Sequence, residues 1–312
     1  MKKTISLCLI VLLALSTVFT AFAEEDPEAL FQEGKKLYQA GDYTGAAAYI
    51  LRSAELGNAT AQYIIGDFYQ TGTGVPLNYE EGTKWLRLAA EQGHMDAQYA
   101  LGGCYQFGIG VKKDMAEAYK WYRLAAEQGE KFSQGEIGNF YAFGYCVTQD
   151  YNEAVKWWQL AADQGYAQAQ YNLGVSYENG KGGCKKSDTE AVKWFRLAAE
   201  QGYAQAECSL GVAYEYGKGV TQNYEEAFKW YKKSAEQGYV TAQRKMGNFY
   251  VFGYGVKQSY NEALNWWSMA AEQGDGEAMY NIGVCYYNGL GVKKDMAEAN
   301  RWFALAKQKG VG

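Results

Sequence analysis

The fold of this chain is decided by residues 97–129, which read AQYALGGCYQFGIGVKKDMAEAYKWYRLAAEQG. Ala97, Leu101 and Tyr105 follow one another at intervals of four, so they fall on one face of an α-helix. A Gly-x-Gly-Val turn comes next. Asp114, followed three residues later by a glutamate, is typical of a capping box at the start of a second helix. The stretch therefore predicts two helices joined by a tight turn.

This two-helix unit recurs along almost the whole chain. Its closing phrase, most often AAEQG, ends on a glycine every 36 residues, with one spacing of 37 where a turn gains a residue. A tryptophan keeps the same period, at Trp85, Trp121, Trp157, Trp194, Trp230, Trp266 and Trp302. Self-similarity at such a period is the signature of a repeat protein. We therefore predict an all-α fold, a right-handed α-solenoid of tandem helix-turn-helix repeats with about eight hairpins.

The sequence divides into three regions. Residues 1–23 combine Lys2 and Lys3 with a short apolar run and an Ala-Phe-Ala end, which predicts a secretory signal peptide cleaved before Glu24. Residues 24–57 form a capping hairpin that lacks the Gly-x-Gly-Val turn and the tryptophan. Residues 58–312 hold seven full repeats without a second cap, so the C-terminal face is a candidate surface for self-association.

The signal peptide has one alternative interpretation, an uncleaved membrane anchor. The apolar run is close to the ~20 residues of a spanning helix. The small-x-small end and the acidic residues that follow it favour cleavage. We therefore expect a protein of the periplasm or the external medium that has no membrane segment after processing.

The charge of the mature chain argues against two classes of partner. All 35 acidic residues but only 28 of the 30 basic residues follow the predicted cleavage site, which gives a net charge of −7. Nucleic-acid binding depends on a basic face, and adsorption to anionic lipid depends on clustered lysine and arginine. We therefore expect neither nucleic acid nor a membrane surface as the partner.

Glycine occurs inside the predicted first helix of every full repeat. Glycine costs about 1 kcal/mol relative to alanine in a helix interior. A cost that recurs in each repeat predicts that the neighbouring helix crosses so closely that no Cβ fits. The positions are Gly66, Gly102, Gly138, Gly174, Gly211, Gly247 and Gly283.

The repeating unit A-x-x-x-L-G-x-x-Y-x-x-G-x-G-V-x-x-D-x-x-E-A-x-x-W-x-x-x-A-A-E-Q-G resembles the Sel1-like repeat, over residues 58–310. The first hairpin resembles the related tetratricopeptide repeat. With a signal peptide, the whole is similar to the secreted and periplasmic Sel1-repeat proteins of bacteria. The resemblance implies a non-catalytic adaptor that binds an envelope or host protein. Cysteine-rich relatives imply an alternative, an envelope protein that interacts with peptidoglycan or β-lactams.

The sequence offers little for catalysis. The chain has one histidine, His94, in a predicted turn, which excludes a histidine-rich metal site. No serine has a lysine three residues later, so the serine β-lactamase machinery has no nucleophile and base. The Gly-x-Gly turns lack the Gly-Lys-Ser/Thr of a phosphate-binding loop. We therefore predict no enzyme activity, no cofactor and no metal.

Two of the cysteines stand apart from the others. Cys146 and Cys184 replace the second glycine and the valine of the Gly-x-Gly-Val turn in consecutive repeats. They could form a disulfide in an oxidising compartment, provided that their Cα atoms lie within about 7 Å. The alternative is that adjacent turns lie too far apart. Cys104, Cys208 and Cys285 are interpreted as small buried apolar residues.

Positions that vary between repeats indicate where packing does not dictate the residue. On the concave face, which first helices line in such solenoids, Asn139 and Asn248 carry amides without an evident packing task that could bind a peptide backbone. Aromatic residues in the other variable positions are predicted to contact a partner, with packing in the inter-repeat core as the alternative. They are Phe107, Phe143, Tyr216, Phe252, Tyr63, Tyr99, Tyr171 and Tyr280.

Overall fold

The computed structural model describes residues 25–312, so the predicted signal peptide and its cleavage site lie outside the described residues. Within residues 25–312 there are sixteen helices of 13 residues each and no strand. In chain order they are α1 (Pro27–Gln39), α2 (Tyr43–Glu55), α3 (Ala59–Thr71), α4 (Tyr79–Glu91), α5 (Met95–Phe107), α6 (Met115–Glu127), α7 (Lys131–Phe143), α8 (Tyr151–Asp163), α9 (Ala167–Asn179), α10 (Asp188–Glu200), α11 (Ala204–Tyr216), α12 (Tyr224–Glu236), α13 (Val240–Phe252), α14 (Tyr260–Glu272), α15 (Gly276–Asn288) and α16 (Met296–Gln308).

The chain separates into two compact units. The described part of the first ends at Ser133, and the second begins at Gln134. Within each unit, helices that follow one another along the chain pack together, both inside a hairpin and between hairpins. The predicted all-α class of tandem helical hairpins is confirmed. None of the helices between residues 25 and 312 has the length and apolar character needed to cross a bilayer.

The predicted capping boxes form only in part. In α12, Asn223 Oδ1 accepts a hydrogen bond from the N–H of Glu226 at 3.1 Å, as expected. The N–H of Asn223 is bound by the carbonyl of Tyr214 in the preceding helix at 2.9 Å. Glu226 therefore does not accept a hydrogen bond from the Asn223 N–H, as a full capping box would require, and forms an ion pair with Lys229 instead. Side-chain acceptors begin the second helices of all seven full repeats, at Asn78, Asp114, Asp150, Ser187, Asn223, Ser259 and Asp295.

The close crossing predicted at the helical glycines is confirmed. A Cβ on Gly174 would lie 2.5 Å from the ring of Phe195 on the facing helix, and one on Gly102 would lie 2.7 Å from the ring of Tyr122. Real Cβ contacts do not come so close. Because these glycines have no Cβ, the large side chain of the second helix can pack directly against the first helix in the hairpin core.

The periodic tryptophan is not the residue that fills this place. The sequence indicates a buried stripe of Ala154, Trp157 and Ala161, yet the buried side chain is Trp158, which is 6% exposed and packs on Gly138. Trp157 is only half-buried. In six of the seven repeats the periodic tryptophan is half-buried in this way, whereas Trp121 is buried, at 5% exposed.

A buried glutamine paired with an exposed one, which the sequence analysis did not predict, links successive helices. Gln170 donates to the carbonyl of Ala162 at 3.2 Å and accepts from Gln201 at 2.8 Å. Buried polar groups need such partners, since an unpaired one costs about 1–3 kcal/mol. The equivalent side-chain pairs are Gln62 with Gln92, Gln98 with Gln128, Gln134 with Gln164, Glu207 with Gln237 and Gln243 with Gln273.

Candidate functional site

Four of the predicted aromatic residues end the first helices of their hairpins and are largely exposed. The exposed fractions are 70% for Phe107, 62% for Phe143, 57% for Tyr216 and 63% for Phe252. A glycine with positive φ follows each of them and ends the helix. Side chains with this exposure do not belong to the core, so the packing alternative does not apply to these four residues.

Tyrosines of the following turn extend two of these aromatic positions. Phe143 stacks on Tyr145, with ring centroids 5.4 Å apart and planes inclined by 27°. Phe252 stacks on Tyr254 in the same way, at 5.3 Å and 26°. Tyr254 also stacks on Tyr224 at 4.5 Å. Offset stacks of this kind fix the ring orientations, so each pair presents a preformed apolar surface.

The two predicted asparagines take part in packing. Asn139 Oδ1 accepts from the indole Nε1 of Trp158 and from Nδ2 of Asn172, both at 3.2 Å. Asn248 accepts in the same way from the indole of its hairpin and from the asparagine of the next, at 3.2 and 3.5 Å. The premise that these amides have no packing task is therefore wrong. Their NH2 groups donate no hydrogen bond within residues 25–312, so the donor end of each amide is the part left for a partner.

The four predicted tyrosines near the starts of first helices combine packing with exposure. Each ring lies against an aromatic ring or the histidine of a neighbouring segment. The contacts are Tyr63 with His94 at 5.0 Å, Tyr99 with Phe132 at 5.8 Å, Tyr171 with Tyr203 at 5.4 Å and Tyr280 with Phe303 at 5.3 Å. Burial raises the pKa of Tyr63 and of Tyr171. These four residues therefore take part in packing, and their contact with a partner stays a prediction.

Three predicted residues meet in one cavity of the second unit. Asn248 and Phe252 from α13 and Tyr280 from α15 line a cavity of about 460 Å³. That volume lies within the range of about 300–1,000 Å³ typical of ligand sites. We define the C-terminal groove by the lining residues Asn248, Phe252, Glu277, Tyr280, Asn281 and Val284.

The sequence analysis missed Glu277, Asn281 and Val284. Asn281 shares its repeat position with Asn172, which is the signal that could have indicated it. Glu277 and Val284 vary between repeats in the same way as the predicted positions. Contact between consecutive first helices brings these residues together, and sequence spacing within one repeat does not show that contact.

The edge of the C-terminal groove is acidic. Arg244 binds Asp275 at 3.1 Å and Glu277 at 2.5 Å, so one guanidinium is shared by two carboxylates. The Glu277 side chain is 61% exposed. Glu277 is also the one lining residue that carries a charge at neutral pH. The groove edge therefore favours a cation.

Tyr216 belongs to a charged cluster rather than to a groove. Lys245 Nζ lies 2.9 Å from Glu215 Oε2 and 3.2 Å from the hydroxyl of Tyr216. Burial lowers the pKa of Lys245, but its hydrogen bond and charge interaction with Glu215 outweigh this, and the pKa is raised. Tyr231 donates a hydrogen bond to the same carboxylate. The cluster fixes the orientation of Tyr216, whose ring stays exposed.

The first unit has a cavity of its own, away from the predicted residues. It measures about 490 Å³, and its lining includes Lys35, Ile64 and Asp67. Burial raises the pKa of Asp67. Tyr63, Tyr99 and Phe107 belong to this unit but do not line that cavity. The structure therefore does not bring the predicted residues of the first unit into one site.

The structure shows no disulfide between Cys146 and Cys184. Burial raises the pKa of the Cys184 thiol. Cys146 has φ of 54°, the only positive φ of a residue other than glycine in the described chain. The disulfide stays a prediction for an oxidising compartment. The buried thiols are poor nucleophiles, because burial raises the pKa of Cys208 to about 12 and that of Cys285 to about 11.

His94 has a structural role. Its Nδ1 accepts from the N–H of Ala97 at 3.3 Å and caps α5, while the ring stacks on Tyr63. His94 is therefore half-buried, not solvent-exposed as its position in a turn indicates. Over residues 25–312, no three His, Cys, Asp or Glu side chains are grouped to hold a metal ion. The alternative of an envelope protein that interacts with peptidoglycan or β-lactams stays a prediction.

Comparison with known proteins gives one family and two close structures. Seven consecutive segments match the model of the Sel1 repeat, at residues 59–94, 96–130, 132–166, 167–203, 204–239, 240–275 and 276–311. A protective antigen of uropathogenic Escherichia coli strains that displays an SLR fold is 34% identical with a TM-score of 0.82, over 95% of this chain. The match covers 64% of that protein's length.

A second similar structure is that of a Sel1 repeat protein from Oxalobacter formigenes. It is 34% identical with a TM-score of 0.71, over 77% of this chain and 96% of that one. No curated protein matches the sequence.

Proposed function

Because the chain belongs to the Sel1 repeat family, we propose that it is a non-catalytic scaffold that binds another protein on the face of its first helices. Sel1 repeat proteins generally mediate protein–protein interactions and are typically not enzymes. In this chain the repeat motif itself is used for packing: the glycines, alanines and glutamine pairs hold the hairpins together. Binding therefore depends on the positions that vary between repeats.

The main support for this proposal is that Asn248, Phe252 and Tyr280 all line the C-terminal groove. These positions vary between repeats and lie on two different first helices, yet they line one cavity. Exposed aromatic rings provide apolar contact area at low entropic cost, and the amides supply hydrogen bonds. This combination of rings and amides suits a protein segment better than a small charged metabolite.

We also propose that the protein is exported, to the periplasm or to the medium. The support is the sequence of residues 1–23, which combines a basic start, an apolar run and a small-x-small end. The partner would then be an envelope or host protein. N-terminal sequencing of the protein recovered from periplasm and culture medium tests this, and a chain that begins at Glu24 is the expected result. A chain recovered from the cytoplasm with Met1 intact would contradict export.

The binding surface is tested by crosslinking and capture from envelope extract and from host secretions. The bait carries Phe143→Ala and Phe252→Ala, which remove exposed rings without touching the buried amide network. We expect the partner captured by the wild-type protein to be lost with this variant, since interface aromatics carry much of the binding energy.

The matched control for this capture is Leu160→Ala with Met269→Ala. These side chains are 48% and 43% exposed on the second helices of the same two repeats. Capture that survives in both variants would contradict the assignment of the surface. Absence of any specific partner from both sources would contradict the scaffold function.

A further inference from the structure

Two regions of the second unit carry the same surface sequence. Residues 138–145 read GNFYAFGY and residues 247–254 read GNFYVFGY. The next first helices continue the match, with YNLGV at residues 171–175 and YNIGV at residues 280–284. The two regions lie three repeats apart in one compact unit.

The two regions share their asparagine hydrogen bonds and their ring stacks. Each asparagine, Asn139 and Asn248, accepts from an indole at 3.2 Å and from the asparagine of the following first helix. Phe143 and Phe252 are 62% and 63% exposed, and both stack on a tyrosine two residues later. We define the N-terminal groove by the residues equivalent to those of the C-terminal groove: Asn139, Phe143, Tyr171, Asn172 and Val175.

Packing accounts for the shared asparagine, because Asn139 and Asn248 accept from the indoles of Trp158 and Trp267, and only these two repeats have a tryptophan at that position. Every repeat of the chain uses the same glycine and alanine positions, but the asparagine and the phenylalanine occur together in these two repeats only. At the asparagine position the other five repeats have Asp67, Gly103, Val175, Val212 and Val284. Packing does not account for the exposed stacks of Phe143 on Tyr145 and of Phe252 on Tyr254, which the other five repeats lack in sequence. These stacks therefore mark a shared surface.

The charges of the two grooves differ in one respect. The C-terminal groove has Glu277 at its edge, beside Asp275 and Arg244. The N-terminal groove has Gln168 and Tyr166 at the positions of the two carboxylates, and Tyr166 donates a hydrogen bond to Gln168 at 2.8 Å. Neither groove presents an unpaired cation in its defining residues, so an acidic segment has no complement in either of them.

We propose that the two grooves are equivalent sites for an extended peptide segment, so that one chain binds two copies of the same segment. An aliphatic or aromatic side chain of the segment lies on the stacked Phe–Tyr pair, and its backbone carbonyl accepts from the asparagine NH2 group. In the C-terminal groove a lysine or arginine of the segment pairs with Glu277. This inference rests on the proposed scaffold function and adds the number of binding sites per chain, which is two. A partner that presents the segment twice gains about 10²–10⁴ in affinity over a single copy.

A random dodecapeptide library displayed on phage and selected on the immobilised protein provides the probe. We expect the selected pool to be enriched in a large apolar residue next to lysine or arginine. Calorimetric titration of the best synthetic peptide should give two peptides per chain. The expected number is one for Phe143→Ala, one for Phe252→Ala and none for the double variant. Glu277→Gln should weaken one of the two sites and leave the other unchanged.

Leu160→Ala is the control, because Leu160 is 48% exposed on the second helix of the repeat that carries Phe143 and belongs to neither groove. It should leave two sites. One peptide per chain in the wild-type protein, an unchanged number in Phe143→Ala, or a pool enriched in acidic residues would each overturn the inference. If a protein partner is captured from envelope or host material while the library yields no binder, the two-site proposal fails and the scaffold function stands. If neither the library nor the extracts yield a binder, both fail.

Discussion

At the scale of single residues, one of the six buried positions that pair with a glutamine is a glutamate. Glu207 takes the place of a glutamine, is 3% exposed and accepts one hydrogen bond, from Gln237 at 2.8 Å. In the equivalent position Gln170 also donates to a backbone carbonyl, which a carboxylate cannot do. Burial raises the pKa of Glu207, and the charge of Lys233 with the Gln237 hydrogen bond offsets this only in part.

This exception predicts a pH-dependent stability. A carboxyl group whose folded pKa is raised stabilises the fold below its unfolded pKa, and that contribution is lost as pH rises through the folded pKa. Glu207→Gln should therefore match the wild type near pH 4 and be more stable at pH 7, by about 1 kcal/mol if one hydrogen bond is regained. Urea unfolding at both pH values measures this. Equal stability of the two proteins at pH 7 would contradict it.

At the scale of helices, the hairpin is held by contact between a glycine of the first helix and a large side chain of the second. Adjacent glycines in α5 separate this effect from helix propensity. A Cβ on Gly102 would lie 2.7 Å from the Tyr122 ring, whereas one on Gly103 would meet only the Tyr122 hydroxyl, at 3.6 Å. The same substitution at the two positions should therefore act in opposite directions.

Gly102→Ala should destabilise the fold by about 1–3 kcal/mol, as overpacking does. Gly103→Ala should stabilise it by up to about 1 kcal/mol, because alanine is the better helix former. Thermal and urea unfolding of the two variants beside the wild type measure the difference. If both variants gain stability, the close crossing of α5 and α6 does not explain the need for glycine at position 102.

At the scale of the whole molecule, each hairpin packs on its neighbours along the chain within its unit. Stability in repeat proteins is close to a sum over hairpins and the interfaces between adjacent hairpins. A local defect should therefore act locally. Binding surfaces built from two adjacent first helices, such as the C-terminal groove, should depend on the hairpins that form them.

Gly174→Val tests this locality, because a Cβ there would lie 2.5 Å from the Phe195 ring. We expect faster amide hydrogen exchange in α9, α10 and the hairpins beside them. The helices α1 to α4, in the first unit, should keep their protection, because they belong to hairpins that are distant from the defect along the chain. Hydrogen-exchange mass spectrometry reads each segment, with Gly103→Ala as the control. A uniform rise in exchange over all helices would show that the chain unfolds as one cooperative body.

The sequence alone determined the parts of the structure that repeat. The period, the glycine turns and the acceptor side chains predict the hairpins, since helix start, helix end and turn depend on neighbouring residues. The tight crossing at Gly174 also follows from sequence, because glycine lowers helix propensity and yet recurs at this position in every full repeat. Export, the disulfide of Cys146 with Cys184 and the partner stay predictions.

Only the tertiary structure decided which side chains face the core and which meet in a site. Trp158 fills the core in place of Trp157, because its ring lies against Gly138 on the first helix of the hairpin. The roles of Asn139 and Asn248 as acceptors for indole groups depend on residues that are distant along the chain. The C-terminal groove likewise exists only where two first helices lie side by side. Such contacts depend on packing between elements, which no pattern within one repeat can specify.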